Sequence, residues 1–274
     1  MRLIYPGQAE LAAGDLAGLY AYPDAAEQLW VRANMVASVD GAASLAGRSG
    51  GLSGAADRLV FSVLRGLADV ILVGAGTARA EGYGPARPAG AAPWWQELRA
   101  GRTEVPPIAV VTRLLTLDLS APLITAAPAD ARTIVITTAA APADRRAAAT
   151  AAGADVVVAG DDTVDLRAAA GALAGLGHWR LLTEGGPRLL GELAGIGLLD
   201  ELCLTLSPVL AGGTAGRIVD AAGASAAGAG AGGHVLAGAD PGGGLGSPGS
   251  LGQLTLGHVV ADDGYLLCRY QRAQ

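Results

Sequence analysis

A chain of 274 residues, 51% hydrophobic and carrying a formal net charge of -6, is long enough to build a continuous buried core without staples. Its two cysteines, Cys203 and Cys268, lie in apolar runs and exclude a disulfide scaffold, and its three scattered histidines offer no metal-ligand spacing. The acidic balance, with no basic cluster, speaks against nucleic acid. With no run of about 18 apolar residues and no apolar signal core at the N-terminus, a cytoplasmic protein without a membrane partner is expected.

In chain order, residues 29–37 read as a strand ending in Ser38-Val39-Asp40-Gly41. A Gly-rich stretch leads into a helix over 55–67, where Leu59, Val60, Val63, Leu64 and Leu67 recur at helical spacing. Residues 69–77 form an apolar run suited to a buried strand. The Pro-rich segment 83–95 reads as a loop, with Trp94-Trp95 as a packing anchor. Further strands are expected over 108–112, 133–138 and 155–159, and helices over 143–152 and 164–176. A strand over 179–183 runs into Glu184-Gly185-Gly186-Pro187 and a helix over 187–194, with Pro at its favoured first position. Another strand covers 201–206, and the Ala/Gly-dominated stretch 222–250 is expected as a mobile loop. Residues 251–260 and 265–272 then pair as a hairpin across Asp262-Asp263-Gly264. Strands alternating with helices predict an α/β fold: a mostly parallel central sheet, helices on both faces and an antiparallel C-terminal hairpin. One domain over 1–274 is expected, with 1–28 as an N-terminal extension.

Two glycine clusters end strands, Gly74-Ala75-Gly76-Thr77 and Glu184-Gly185-Gly186-Pro187. Ligands of open α/β sheets bind outside the carboxyl ends of strands, and a helix N-terminus there suits a diphosphate. The same clusters also read as plain strand-to-helix turns, and composition alone leaves both open. With no lysine in the chain, any phosphate must be met by Arg, backbone amides or hydroxyls.

Taken together, Ser38-Val39-Asp40-Gly41, the run from Asp69 to Thr77, Glu184-Gly185-Gly186-Pro187, and Asp200-Glu201-Leu202 followed by Ser207-Pro208-Val209-Leu210-Ala211-Gly212-Gly213 stand in one order. This resembles the RibD C-terminal family, the pyrimidine reductases of riboflavin biosynthesis, over roughly residues 30–272. No deaminase zinc motif precedes the region, so a stand-alone reductase is expected. The resemblance implies a dihydrofolate-reductase-like fold and an activity like that of 5-amino-6-(5-phosphoribosylamino)uracil reductase. In that reaction NADPH reduces a ribosyl group to a ribityl group. It places NADPH against Gly74, Gly76, Thr77, Gly185, Gly186 and Pro187, with Thr112 and Arg113 available to the adenosine 2′-phosphate. It places a heterocyclic small-molecule substrate against Asp40, Ser53, Arg65, Glu81 and Glu184. Arg65 also reads as a cation stabilising a helix C-terminus. The proton accompanying hydride transfer is left to Asp40, Glu184 or water.

Departures from the family pattern fall on the substrate side. Ala42 stands where a Lys is common, Glu81-Gly82-Tyr83 replaces Asp-Asn-Pro, and Gly51-Leu52-Ser53 replaces Trp-Ile-Thr/Ser. A dihydrofolate- or pterin-type reductase is therefore the alternative, with a non-catalytic nucleotide-binding protein behind it. A homodimer is expected, its pairing edge supplied by the apolar C-terminal strands.

Overall fold

The computed structural model describes residues 1–24, 27–88, 92–220 and 252–273. Short aliphatic runs apolar on both faces form its central strands, because a strand covered on two sides has no polar face to show. In β4 (Val70–Gly74), Ile71 and Val73 face one core layer while Val70 and Leu72 face the other, and these four are buried. Beside it stand β5 (Ile108–Val111), β6 (Ile134–Thr137) and β7 (Asp155–Val158), each parallel to its neighbour. On the other side come β8 (Arg180–Thr183), β3 (Trp30–Ser38) and β9 (Glu201–Ser207), again parallel.

The sheet then turns antiparallel through β11 (Tyr265–Arg272), β10 (Leu254–Asp262), β1 (Arg2–Tyr5) and β2 (Ala9–Glu10). The full order is β2-β1-β10-β11-β9-β3-β8-β4-β5-β6-β7. Segment 1–28, expected as an extension, thus adds strands beyond the hairpin, and α1 (Asp15–Leu19) plants Leu16 and Tyr20 in the core. The C-terminal strands are flanked on both sides, so they offer no free edge for a second copy; β2 and β7 are the sheet's ends.

Helices cover both faces. α2 (Ala55–Leu67) buries Val60, Val63, Leu64 and Leu67 on one side. On the other, α7 (Leu166–Gly175) and α8 (Pro187–Gly195) bury Leu173, Leu190 and Leu193 against Val31, Leu72 and Leu181. Shorter helices among the described residues include α3 (Ala75–Ala80), α4 (Pro93–Leu98), α5 (Pro122–Thr125) and α6 (Ala143–Ala151). Two local expectations are corrected. The strand over 69–77 stops at Gly74 because α3 starts at once. The loop over 83–95 ends in α4, where Pro93 opens the helix and Trp95 is buried on Val105 and Ala131. A short helix over Pro122–Thr125 was not foreseen. The stretch 222–250 lies outside the described residues.

Candidate active site

The carboxyl ends of β4 and β8 lie side by side, β4 closing on Gly74 and β8 running through Glu184 into Gly185-Gly186. The Gly74 N–H donates to the Gly185 carbonyl at 2.8 Å, tying the two turns together. Gly185 sits at φ +76°, a left-handed conformation that favours glycine, and the Gly185–Gly186 peptide is cis. A side chain at Gly186 would run into Thr77 Oγ1, and one at Gly185 would press on Met35. At Gly76 a Cβ would meet nothing, since that backbone faces open space. Gly186 then caps α8, with Pro187 in its first turn and no side chain satisfying the leading amides.

Opposite these turns is a cavity of about 630 Å³, within the usual range for small-molecule sites. Gly76, Thr77, Gly186 and Pro187 form one wall, and α2 forms the other through Asp57, Arg58, Phe61, Ser62 and Arg65. Ser53, Glu81, Tyr83 and Glu184 close the space between them. Most of the residues expected at the site are therefore brought together.

Glu184, at the end of β8, is the centre of a buried polar unit. Its Oε1 accepts from Arg65 Nε and its Oε2 from Arg65 NH2, both at 2.7 Å, and Oε2 accepts again from the Tyr83 hydroxyl at 2.6 Å. The Arg65 guanidinium also lies over the Phe61 ring, 4.1 Å from its centroid. Burial opposes the charge of Arg65, but the Glu184 carboxylate overrides it and holds the guanidinium pKa above its ordinary value. Burial, reinforced by Glu184, drives the Tyr83 hydroxyl well above the usual phenol range. Arg65 thus spends one edge, Nε and NH2, on Glu184 while its side chain lines the cavity.

The other expected residues divide. Glu81 lines the cavity, but its Oε1 accepts from the Ser49 amide at 2.8 Å and the Ser49 hydroxyl at 2.9 Å, so it braces the loop before α2. The Ser53 hydroxyl donates to Asp57 Oδ2. Asp40 stands outside the cavity lining and is exposed. Its carboxylate accepts from the Ser38 hydroxyl and from the Ala211 and Gly212 amides at 3.0 and 2.8 Å, which pull its pKa down to about 2. An acid that strong stays ionised near neutral pH, so Asp40 is a loop anchor and a poor proton donor. Thr112 and Arg113 also lie outside the lining: Thr112 is buried, with its amide bonded to Ile136, while the Arg113 carbonyl accepts from Thr137 and Thr138 and its side chain is exposed.

Sequence reasoning missed Asp57, Arg58, Phe61 and Tyr83. A signal existed on α2, where Arg58, Phe61, Ser62 and Arg65 recur at helical spacing and mark a second, non-aliphatic face. Tyr83 was marked only within the substrate-side departure Glu81-Gly82-Tyr83, and its bond to Glu184 was not legible because that partner is 101 residues away.

A largely parallel sheet with glycine turns, a cleft at its carboxyl ends and an antiparallel C-terminal edge make an α/β fold of the dihydrofolate-reductase-like class. Residues 29–229 match the RibD C-terminal domain, and the chain belongs to that family. Among solved structures, it resembles a pyrimidine reductase-like protein from Corynebacterium diphtheriae, with a TM-score of 0.75 and 23% identity over 96% of this chain and 100% of that one. Acinetobacter baumannii RibD matches with a TM-score of 0.65 and 18% identity over 90% of this chain, which spans 59% of that protein. A riboflavin biosynthesis reductase from Saccharomyces cerevisiae matches with a TM-score of 0.57 and 14% identity, over 92% of this chain and 93% of that one. These likenesses establish the shared fold. No curated protein matches the sequence.

The glycine wall fits a dinucleotide. Backbone is exposed at Gly76, Thr77 closes over Gly186, and the uncapped N-terminus of α8 borders the cavity. If the turn receives NADPH, Gly186→Ala weakens its binding by roughly tenfold or more, because the added methyl must displace Thr77 from the turn. Titration of nicotinamide fluorescence measures this, and unchanged affinity would remove the turn from the cofactor site.

Proposed function

We propose that this protein is an NADPH-dependent reductase of a nitrogen heterocycle bearing an anionic group, acting as the riboflavin-pathway pyrimidine reductases do by converting a ribosyl group to a ribityl group. Family membership supports the reaction class. The observation that carries the reading is the pairing of two walls: bare glycine backbone on one side of the cavity, and the Arg58 and Arg65 face of α2 on the other. When bound, NADPH supplies the hydride. The chain's part is to hold donor and acceptor in line and to exclude water. Gly76, Gly186 and the first turn of α8 receive the diphosphate, while Arg58 and Arg65 meet the substrate's anionic or carbonyl oxygens. Glu184 keeps Arg65 in place. With Asp40 outside the cavity and the Tyr83 hydroxyl spent on Glu184, water brings the proton.

The departures at Ala42 and at Glu81-Gly82-Tyr83 favour the second reading, a dihydrofolate- or pterin-type reductase on the same scaffold. Single-turnover oxidation of NADPH, followed by nicotinamide absorbance with the ribosylaminopyrimidine phosphate and with dihydrofolate, separates the two. Turnover of the first alone supports the riboflavin-pathway reading, and of dihydrofolate alone the second. NADPH binding with neither reaction leaves a third substrate or a non-catalytic nucleotide-binding protein, and no NADPH binding overturns the proposal. A cytoplasmic homodimer belongs to the same reading, and sedimentation tests the pairing. Among the described residues, no helix is long and apolar enough to cross a membrane.

A further inference from the structure

Helix α2 carries Arg65 in its last turn, and no glycine turn closes it, since Ala68 leaves the helix in an extended conformation. The last carbonyls of a helix lack partners within it. Those of Leu64 and Arg65 share the Ala68 N–H, and the next three are taken by two arginines from the segment that follows α4. Arg99 donates to the Ala68 carbonyl at 2.5 Å and to that of Gly66 at 3.4 Å, and Arg102 donates to the Leu67 carbonyl at 2.9 Å. α4 also presses on this turn: a methyl on Gly66, the residue after Arg65, would lie 3.0 Å from Leu98.

Arg102 reaches the sheet as well. It lies 3.4 Å from Asp69 Oδ1, while Asp69 Oδ2 accepts from the Trp179 and Arg180 amides at 3.1 and 2.9 Å. The Asp69 N–H in turn donates to the Arg180 carbonyl at 2.9 Å. Asp69 therefore grips the start of β8, the short strand that runs directly into Glu184. Burial and the charge of Arg102 pull the Arg99 pKa down to about 10, so gathering these cations has a cost. A glycine turn would close the helix without it. What the arginines add is a bridge from the end of α2 to the start of β8, the two elements that deliver Arg65 and Glu184 to the cavity.

We infer that Arg102 and Asp69 are a positioning pair for the candidate active site: from outside the cavity they hold α2 and β8 in the register at which the Arg65 guanidinium meets the Glu184 carboxylate. Neither residue touches the cavity, so both act through Arg65 and Glu184. What the held pair does for a substrate rests on the proposed reductase function.

The test reads the Arg65–Glu184 bond itself, by hydrogen exchange of the Arg65 Nε–H in nuclear magnetic resonance spectra of the full-length protein. The signal is assigned by its loss in Arg65→Lys, and the Arg269 Nε–H, bonded to Glu201 elsewhere in the sheet, is the internal control. Arg102→Ala should speed exchange at Arg65 by about tenfold or more and leave Arg269 unchanged, as expected of a local opening. Arg102→Lys, which keeps the charge but loses the fork, should fall between. Asp69→Asn should repeat the alanine effect, because one amide oxygen cannot serve both Arg102 and the β8 amides, and it keeps the test open if Arg102→Ala does not fold. Unchanged exchange at Arg65 overturns the inference, and so does an equal rise at Arg65 and Arg269, which would mark a purely structural role. With a substrate that turns over, the same variants should lower kcat/KM several-fold at constant NADPH affinity. A protein that reduces nothing would sink the proposed function alone, since the exchange result still decides this one.

Discussion

Glu201→Ala is expected to destabilise the protein by about 3–5 kcal/mol, the cost of leaving buried charge uncompensated. Glu201 opens β9 with a fully buried side chain, at the place where the parallel and antiparallel halves of the sheet meet. Arg32 of β3 lies on one side, its Nε 2.6 Å from Oε1, and is itself fully buried beneath the Tyr22 ring. Arg269 of β11 lies on the other, donating through Nε and NH2 at 2.9 Å each, and Trp30 adds a bond at 3.2 Å. Removing the carboxylate strands two guanidiniums between three strands. Glu201→Gln should cost less, since an acceptor oxygen remains. Urea denaturation measures both, and a loss below about 1 kcal/mol for the alanine variant would show that the cluster is not holding the strands together.

The same group carries a pH signature. Burial alone would raise the Glu201 pKa, but Arg32 and Arg269 outweigh it and hold the carboxyl below its ordinary value. A depressed folded-state pKa contributes stability that is complete above the unfolded carboxyl value near 4.3 and is lost as pH falls through the folded value. The Glu201→Gln chain should therefore lose less stability than wild type between neutral pH and the acid side of that window.

The Glu201 cluster also explains what could be read in the sequence. Asp200-Glu201-Leu202 helped to mark the family, yet it works within the sheet: Asp200 accepts from the Val31 amide at 2.8 Å and Glu201 joins β3 to β11. Strands and long helices were legible because their apolar periodicity is a local property. Helix α2, for instance, spans the 55–67 expected of it. The N-terminal strand was not legible, since Leu3 and Ile4 make a strand only by pairing with β10, more than 250 residues on. At the site, glycine turns announced one wall because backbone geometry demands glycine there. Of the opposite wall only Ser53 and Arg65 were read, because what its other side chains do depends on distant partners. Glu184 looked like the substrate's acceptor until Arg65 and Tyr83 were found on it, and Asp57 had no local mark at all.

That occupied carboxylate leads to the second large effect. Glu184→Gln should lower kcat/KM by roughly a hundredfold, the order of loss that follows when a positioning contact slips by about an ångström. The amide cannot accept on both atoms, so the paired bonds to Arg65 Nε and NH2 are broken and the guanidinium is freed from its 2.7 Å clamp. Two further variants decide whether Glu184 acts on substrate directly or through Arg65. Tyr83→Phe removes the hydroxyl bond to Oε2 and should cost several-fold, while Arg65→Lys keeps the charge but loses the fork and should approach the Glu184→Gln loss. If Glu184 works by holding Arg65, the Glu184→Gln, Arg65→Lys double variant falls no further than the worse single one, because both remove the same element. If Glu184 touches the substrate itself, the two losses multiply and Tyr83→Phe leaves activity intact. Steady-state kinetics on the four proteins, with thermal unfolding as a check that each is folded, separates these cases. The geometry predicts the non-additive one, since one oxygen of Glu184 accepts two hydrogen bonds within the protein and the other is held by the guanidinium that lines the cavity.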